Sequence, residues 1–97
     1  MKHLTDEEKD QIRLVMRQLA DEAADKLFLK EGEKGNHRGL EVPGLDVAFR
    51  EELIEFGEAE DTARTSPSKE NMSALRGELI DLWNVSFMSY DSLVHNK

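Results

Sequence analysis

The sequence has no cysteine and no long apolar segment, and each absence excludes a class of protein. Without cysteine, neither a disulfide nor a thiolate metal site can form, which fits the reducing cytoplasm. No apolar run approaches the roughly 20 residues needed to cross a bilayer, and the acidic amino terminus lacks the basic and apolar regions of a signal peptide. We therefore expect a cytoplasmic protein that has no membrane partner.

Basic residues are also in the minority, with 13 against 21 acidic residues and a formal charge of -8. Such a charge argues against a protein that binds duplex nucleic acid by neutralising its phosphates. A small phosphorylated ligand remains possible if a cation accompanies it. The 97 residues suffice for one domain, and a domain of this size buries a modest fraction of its surface.

What the sequence does contain is helical periodicity, which begins directly after the first residues. Thr5 and Glu8 form a capping-box pattern, and it predicts a helix over about residues 5–30. The helix carries one apolar stripe at spacings of three and four: Ile12, Val15, Met16, Leu19, Ala23 and Leu27. The segment 31–44, with four glycines and Pro43, shows no periodicity and is predicted to be a loop.

Two further helices are predicted over about residues 45–65 and 67–95. The first has a buried side formed by Leu45, Phe49, Leu53, Phe56 and Ala63. For the second, Ser66 can be the cap with Pro67 in first position, and a start at Ser68 with Asn71 is the alternative. The end of this helix is apolar nearly all round, and three helices can hardly cover it. We therefore predict an all-α single domain, three helices per chain, that assembles as a homo-oligomer, either a dimer or a tetramer.

Four carboxylates on the last two helices form the main candidate site. Residues three apart lie on one helical face, so Glu52 pairs with Glu55, and Glu78 with Asp81. In an antiparallel hairpin, residues at equal height have position numbers with a constant sum. That sum is 133 for Glu55 with Glu78 and for Glu52 with Asp81, and its half falls at the predicted turn. Both pairs should therefore lie opposite each other, roughly 17 Å from the turn at the helical rise of about 1.5 Å per residue.

Four facing carboxylates repel one another unless their pKa values rise or a cation binds. Oxygen ligands favour Mg²⁺, with Mn²⁺ as a further possibility. The alternative is a solvated acidic face, which is common in acidic chains. Asp81 argues against a solvated face, because an unpaired charge is costly among apolar neighbours. Those neighbours in the sequence are Leu79, Ile80, Leu82 and Trp83.

These segments resemble the MazG-like all-α nucleoside triphosphate pyrophosphohydrolases, especially the short phage and bacterial members. The segment 51–59 is similar to the first helix motif of that family, in which two adjacent glutamates are followed by a third glutamate and then by Glu-Ala. The segment 78–84, Glu-x-x-Asp with an asparagine three residues later, resembles the second, and 34–39 is similar to a Lys-Gly stretch that often precedes the first. The resemblance covers about residues 30–93.

The resemblance implies that Glu52, Glu55, Glu78 and Asp81 bind Mg²⁺ and that a water is activated nearby. A nucleoside triphosphate, by family habit a deoxy one, then yields monophosphate and pyrophosphate. Either Glu51 or Glu55 could take the proton from this water, and the sequence does not choose between them.

Several residues are candidates for contacts with the nucleotide. Lys34 and Arg38 could bind phosphates, with a solvated basic cluster as the alternative. His37 could stack on a base or be an exposed loop residue, and Asn84 could bond the base or sugar or be a buried structural amide. A non-catalytic helical module that binds a nucleotide or a partner protein is the competing function.

Overall fold

The computed structural model describes residues 2–34 and 42–95, with side chains described within 2–32 and 45–95. The protein is all-helical: α1 spans Asp6–Lys34, α2 spans Val42–Thr65 and α3 spans Lys69–His95. The described ranges contain no strand. The predicted fold class is thus confirmed at the level of a three-helix chain.

The starts of α1 and α3 are each fixed by a side-chain cap close to a predicted place. At α1 the Thr5 amide donates to Glu8 Oε1 at 2.9 Å and the Glu8 amide donates to Thr5 Oγ1 at 3.1 Å, which confirms the capping box. At α3 the Asn71 amide donates to Ser68 Oγ at 3.0 Å. Helix α3 therefore begins after Ser68, which was the alternative start. The prediction of Ser66 as the cap, with Pro67 in the first position, is wrong.

The predicted loop 31–44 is too long at both ends. Residues 31–34 continue α1, and α2 begins at Val42. A single glycine such as Gly32 costs a helix about 1 kcal/mol, which a 29-residue helix tolerates. Pro43 fits the first turn of α2, because the amides of that turn have no partner within the helix.

The core lies mainly between α2 and α3, which pack as an antiparallel hairpin. Asn71 closes the turn, since its side-chain amide donates to the Ser66 carbonyl at 2.7 Å. Buried apolar side chains come from all three helices, and they are Ala23, Leu45, Ala63, Ile80 and Val85. Leu53, predicted to face the core, is about half exposed.

Helix α1 packs on α3 through its second half only. Ala23 is buried there, and Arg76 Nη2 of α3 donates to Glu22 Oε2 at 2.5 Å. Residues 2–18, by contrast, are all exposed. The apolar stripe of α1 is therefore left uncovered by the described residues at its first three members, with Ile12, Val15 and Met16 exposed to 44%, 48% and 52%. Within the described residues, no helix combines the length and the apolar character that a membrane span requires.

Candidate metal centre

The hairpin brings three of the four predicted carboxylates together. Glu52 and Glu55 project from α2, one turn apart, and Glu78 projects from α3 opposite them. One carboxylate oxygen from each lies within 4.8 Å of the others. We call Glu52, Glu55 and Glu78 the carboxylate cluster. The equal-height argument from the sequence thus placed the two helices correctly against each other.

The dimensions of the carboxylate cluster suit a divalent cation. Two oxygens on opposite sides of Mg²⁺, each at about 2.1 Å from the ion, are about 4.2 Å apart. Oxygens that lie within 4.8 Å of one another therefore need only small side-chain rotations to close on an ion. Glu52 and Glu78 are half-buried and Glu55 is exposed, so the cluster opens to solvent on one side.

Glu52 Oε2 and Glu78 Oε2 of this cluster are shielded from solvent, and neither has a hydrogen-bond partner within the part of the chain that the structure describes. A buried carboxylate oxygen without a partner costs free energy of about 1–3 kcal/mol or more. A cation bound between these oxygens would remove that cost, so the donor set fits a hard divalent metal.

The electrostatics of the cluster agree with its geometry. Burial raises the pKa of Glu52, and the negative charges of Glu55, Asp81 and Glu78 raise it further. Burial also raises the pKa of Glu78, as do the charges of Glu55 and Asp81, while Lys26 opposes the rise in part. The surroundings of both carboxyl groups therefore disfavour the charged form when no cation is bound.

Asp81, the fourth predicted ligand, is paired with lysines of α1. Its Oδ1 lies 2.5 Å from Lys26 Nζ and 3.8 Å from Lys30 Nζ. Asp81 is close enough to raise the pKa values of Glu52 and Glu78, yet it is not one of the three residues whose oxygens converge. Its role as a metal ligand stays a prediction.

Lys26 and Lys30 are the residues that sequence reasoning missed. They lie four apart on α1, so they share one face, and that face meets α3 at Asp81. Their spacing was visible in the sequence. Nothing in the sequence indicated which part of α3 they would reach, because the 31–44 segment leaves the crossing of α1 over α3 undetermined.

The remaining predicted site residues lie in different places. Glu51 is exposed on α2 and is not a member of the carboxylate cluster. Lys34 is the last residue of α1 and not part of a loop, and its side chain is outside the described residues, as are His37 and Arg38. Asn84 is 8% exposed, and its side-chain amide donates to the Ala23 carbonyl at 2.9 Å. This is the hydrogen bond expected of a buried structural amide, which was one of the two interpretations of Asn84.

A groove of about 570 Å³ lies between α1 and α3. Small residues of α1, including Ala20 and Ala24, form one wall, and Trp83 and Phe87 of α3 form the other. None of the three clustered glutamates lines it.

Comparison with protein-family models, with curated proteins and with solved structures gave no match for this chain.

Proposed function

We propose that the protein is a Mg²⁺-dependent nucleotide pyrophosphohydrolase, which hydrolyses a nucleoside triphosphate, by preference a deoxy one, to monophosphate and pyrophosphate. The observation that carries the proposal is the pair of shielded, unpartnered oxygens on Glu52 and Glu78, facing Glu55. The motif resemblance to MazG-like enzymes supplies the reaction class, and it covers the helices that form this cluster.

Glu52, Glu55 and Glu78 would hold the cation, with Asp81 as a fourth ligand. A bound divalent cation neutralises phosphate charge and lowers the pKa of a water molecule in the site. Since the chain carries a formal charge of -8, a polyanionic substrate needs positive charge at the point of contact. Lys26 and Lys30 add two cations at the edge of the cluster, and they can pair with phosphate oxygens when Asp81 does not hold them.

The hydrolysis is written with water as the nucleophile. The water oxygen bonds to the α-phosphorus, the bond from that phosphorus to the oxygen bridging to the β-phosphate breaks, and pyrophosphate leaves with the electron pair. One proton of the water passes to a carboxylate. Glu55, the exposed member of the cluster, is the better placed acceptor, and Glu51 is the alternative from outside the cluster.

The test is a panel of ribonucleoside and deoxyribonucleoside triphosphates incubated with the protein and Mg²⁺ or Mn²⁺ in water enriched in ¹⁸O. We expect monophosphate and pyrophosphate in equal amounts, with the label in the monophosphate, and no turnover with a chelator present. Label in the pyrophosphate would place the attack at the β-phosphorus. Orthophosphate as the first product would contradict the proposed reaction, and metal-dependent nucleotide binding without turnover would favour the non-catalytic module.

A further inference from the structure

Two lysines of α1 converge on a single carboxylate oxygen of α3. Lys26 Nζ lies 2.5 Å from Asp81 Oδ1, and Lys30 Nζ lies 3.8 Å from the same oxygen. Lysines four apart share one helical face, so both ammonium groups approach from the same side. The two lysines together supply one more positive charge than Asp81 neutralises, in a chain whose formal charge is -8.

The contact between Lys26 and Asp81 is close, but it is not a directed hydrogen bond. Asp81 Oδ1 is shielded from solvent and has no hydrogen-bond partner within the described residues, although Lys26 Nζ is 2.5 Å away. The ammonium group therefore supplies charge without an N–H donor aligned on the oxygen. Because lysine carries its charge on a flexible four-carbon stem, it can leave such a contact without breaking a directed bond.

The charge of Lys26 acts on the carboxylate cluster as well as on Asp81. Burial and the negative charges of Glu55 and Asp81 raise the pKa of Glu78, and Lys26 opposes that rise in part. In the metal-free protein, Lys26 thus supplies part of the positive charge that a cation would bring. A divalent cation in the cluster has the same sign of charge as the ammonium group, so the two repel each other. Binding of the metal therefore weakens the attraction between Lys26 and Asp81.

Both lysines are accessible to an anion from solution. Their side chains are 37% and 49% exposed, whereas the Asp81 side chain is 19% exposed. Two ammonium groups one helical turn apart suit a ligand that carries several anionic groups in a row, and a polyphosphate has that chemistry. Lysine binds phosphate as a compact charge, so no fixed geometry has to be built in advance.

We propose that Lys26 and Lys30 bind the polyphosphate of the substrate, and that they exchange Asp81 for phosphate oxygens when a divalent cation occupies the carboxylate cluster. The exchange leaves the negative charge of Asp81 to the metal and gives both lysines a new anionic partner. Metal and polyphosphate then strengthen each other's binding, and by linkage the two effects are equal. The exchange rests on the metal site of the proposed function and not on the hydrolysis.

The test is titration calorimetry of the full chain with two probes, Mn²⁺ alone and tripolyphosphate in saturating Mg²⁺. We expect Lys26→Gln to bind Mn²⁺ several-fold more tightly than the wild type, because a competing positive charge is gone. The same variant should bind tripolyphosphate about tenfold or more weakly, because a charge-assisted contact is lost. Lys26→Arg keeps the charge and should stay within about threefold of the wild type for tripolyphosphate.

Lys30→Gln is the second variant, because Lys30 is the more exposed of the two lysines and its folding is the less at risk. It should also weaken tripolyphosphate binding about tenfold, with less than about a twofold change for Mn²⁺. Lys9→Gln is the matched control, since Lys9 is an exposed lysine of the same helix, roughly 25 Å before Lys26 at about 1.5 Å per residue. It should leave both affinities within about twofold.

The exchange requires opposite effects of Lys26→Gln on the two probes. Weaker binding of both probes, or unchanged binding of tripolyphosphate, would overturn it, and so would equal losses of tripolyphosphate affinity in Lys9→Gln and Lys26→Gln. A wild type that binds no Mn²⁺ would overturn the metal site, and with it both the exchange and the proposed function. The expected effects on binding, without turnover of any nucleotide, would support the exchange and contradict the hydrolysis alone.

Discussion

The α2–α3 hairpin and the first half of α1 are both regular helix, yet they differ in what surrounds them. In the hairpin, buried apolar residues such as Ile80 and Val85 hold two helices in register, and that register brings acidic side chains together. In residues 2–18 every side chain is exposed. The comparison shows that one chain can contain an acidic cluster formed within a packed hairpin and a helical segment that the described residues leave uncovered.

The hairpin is expected to carry the chemistry, so the largest effect should come from a change within it. Glu78→Gln keeps the shape of the side chain and removes one charge from the carboxylate cluster. We expect turnover of the nucleotide to fall about hundredfold or more, because several kcal/mol of charge stabilisation depend on a correctly held cation. The measurement is steady-state kinetics at saturating Mg²⁺.

Glu70→Gln is the matched control for this substitution, since Glu70 is an exposed carboxylate two turns earlier on the same helix. It should leave turnover within about twofold of the wild type. An equal loss in both variants would show that overall acidity, and not the cluster, supports the activity.

The second expected effect is an unusual pH dependence of stability in the metal-free hairpin. The pKa values of Glu52 and Glu78 are raised above the ordinary 4.5, so above that pH the folded state binds more protons than the unfolded state. Their contribution to the free energy of unfolding is therefore fully present below pH 4.5 and is lost as pH rises through the raised values. Mg²⁺ should reverse the loss, because it binds the charged carboxylates of the folded state.

Chemical denaturation of the wild type and of Glu52→Gln, at fixed protein concentration, measures the contribution of the Glu52 carboxylate to the free energy of unfolding. The difference between the two free energies of unfolding isolates the carboxylate from the rest of the chain. With a chelator present, the wild type should lose stability relative to Glu52→Gln as pH rises. A relative gain over the same range would show that the carboxylate is favourably partnered without metal.

The smallest expected effect lies at the contact between α1 and the hairpin. Lys26→Gln removes the ammonium group that pairs with Asp81. Because the pair is partly exposed, with side-chain exposures of 37% and 19%, its loss should cost about 1 kcal/mol or less of stability. Binding of Mn²⁺ should become several-fold tighter, because Asp81 no longer prefers a lysine to the metal.

Arg13→Gln is the control on the same helix, since its pair with Asp10 is exposed and far from the hairpin. Titration calorimetry with Mn²⁺ compares the two variants. Weaker Mn²⁺ binding in Lys26→Gln alone would mean that Lys26 orients Asp81 for the metal and does not compete with it.

The sequence predicted the hairpin well, because its register follows from two short-range features. The cap of α3 joins Ser68 to Asn71 three residues later, and a short turn makes equal heights along α2 and α3 calculable. The convergence of Glu55 with Glu78 follows from that arithmetic.

The sequence predicted the start and the cap of α1 but not what surrounds the helix. A stripe at helical spacing shows which residues share a face, but it does not show whether a partner covers that face. Ile12, Val15 and Met16 are consequently exposed, while Ala23, on the same stripe, is buried. The approach of Lys26 to Asp81 depends on a crossing between helices separated by a long connection, which local spacing does not fix.

Direct Mn²⁺ binding, followed by electron paramagnetic resonance, tests whether the carboxylate cluster binds a divalent cation, without reference to any substrate. We expect saturable binding by the wild type, unchanged binding by Glu70→Gln, and an affinity at least about tenfold weaker in Glu78→Gln, as expected when a ligand is lost. Absence of saturable binding in the wild type, or the same affinity in all three proteins, would contradict it.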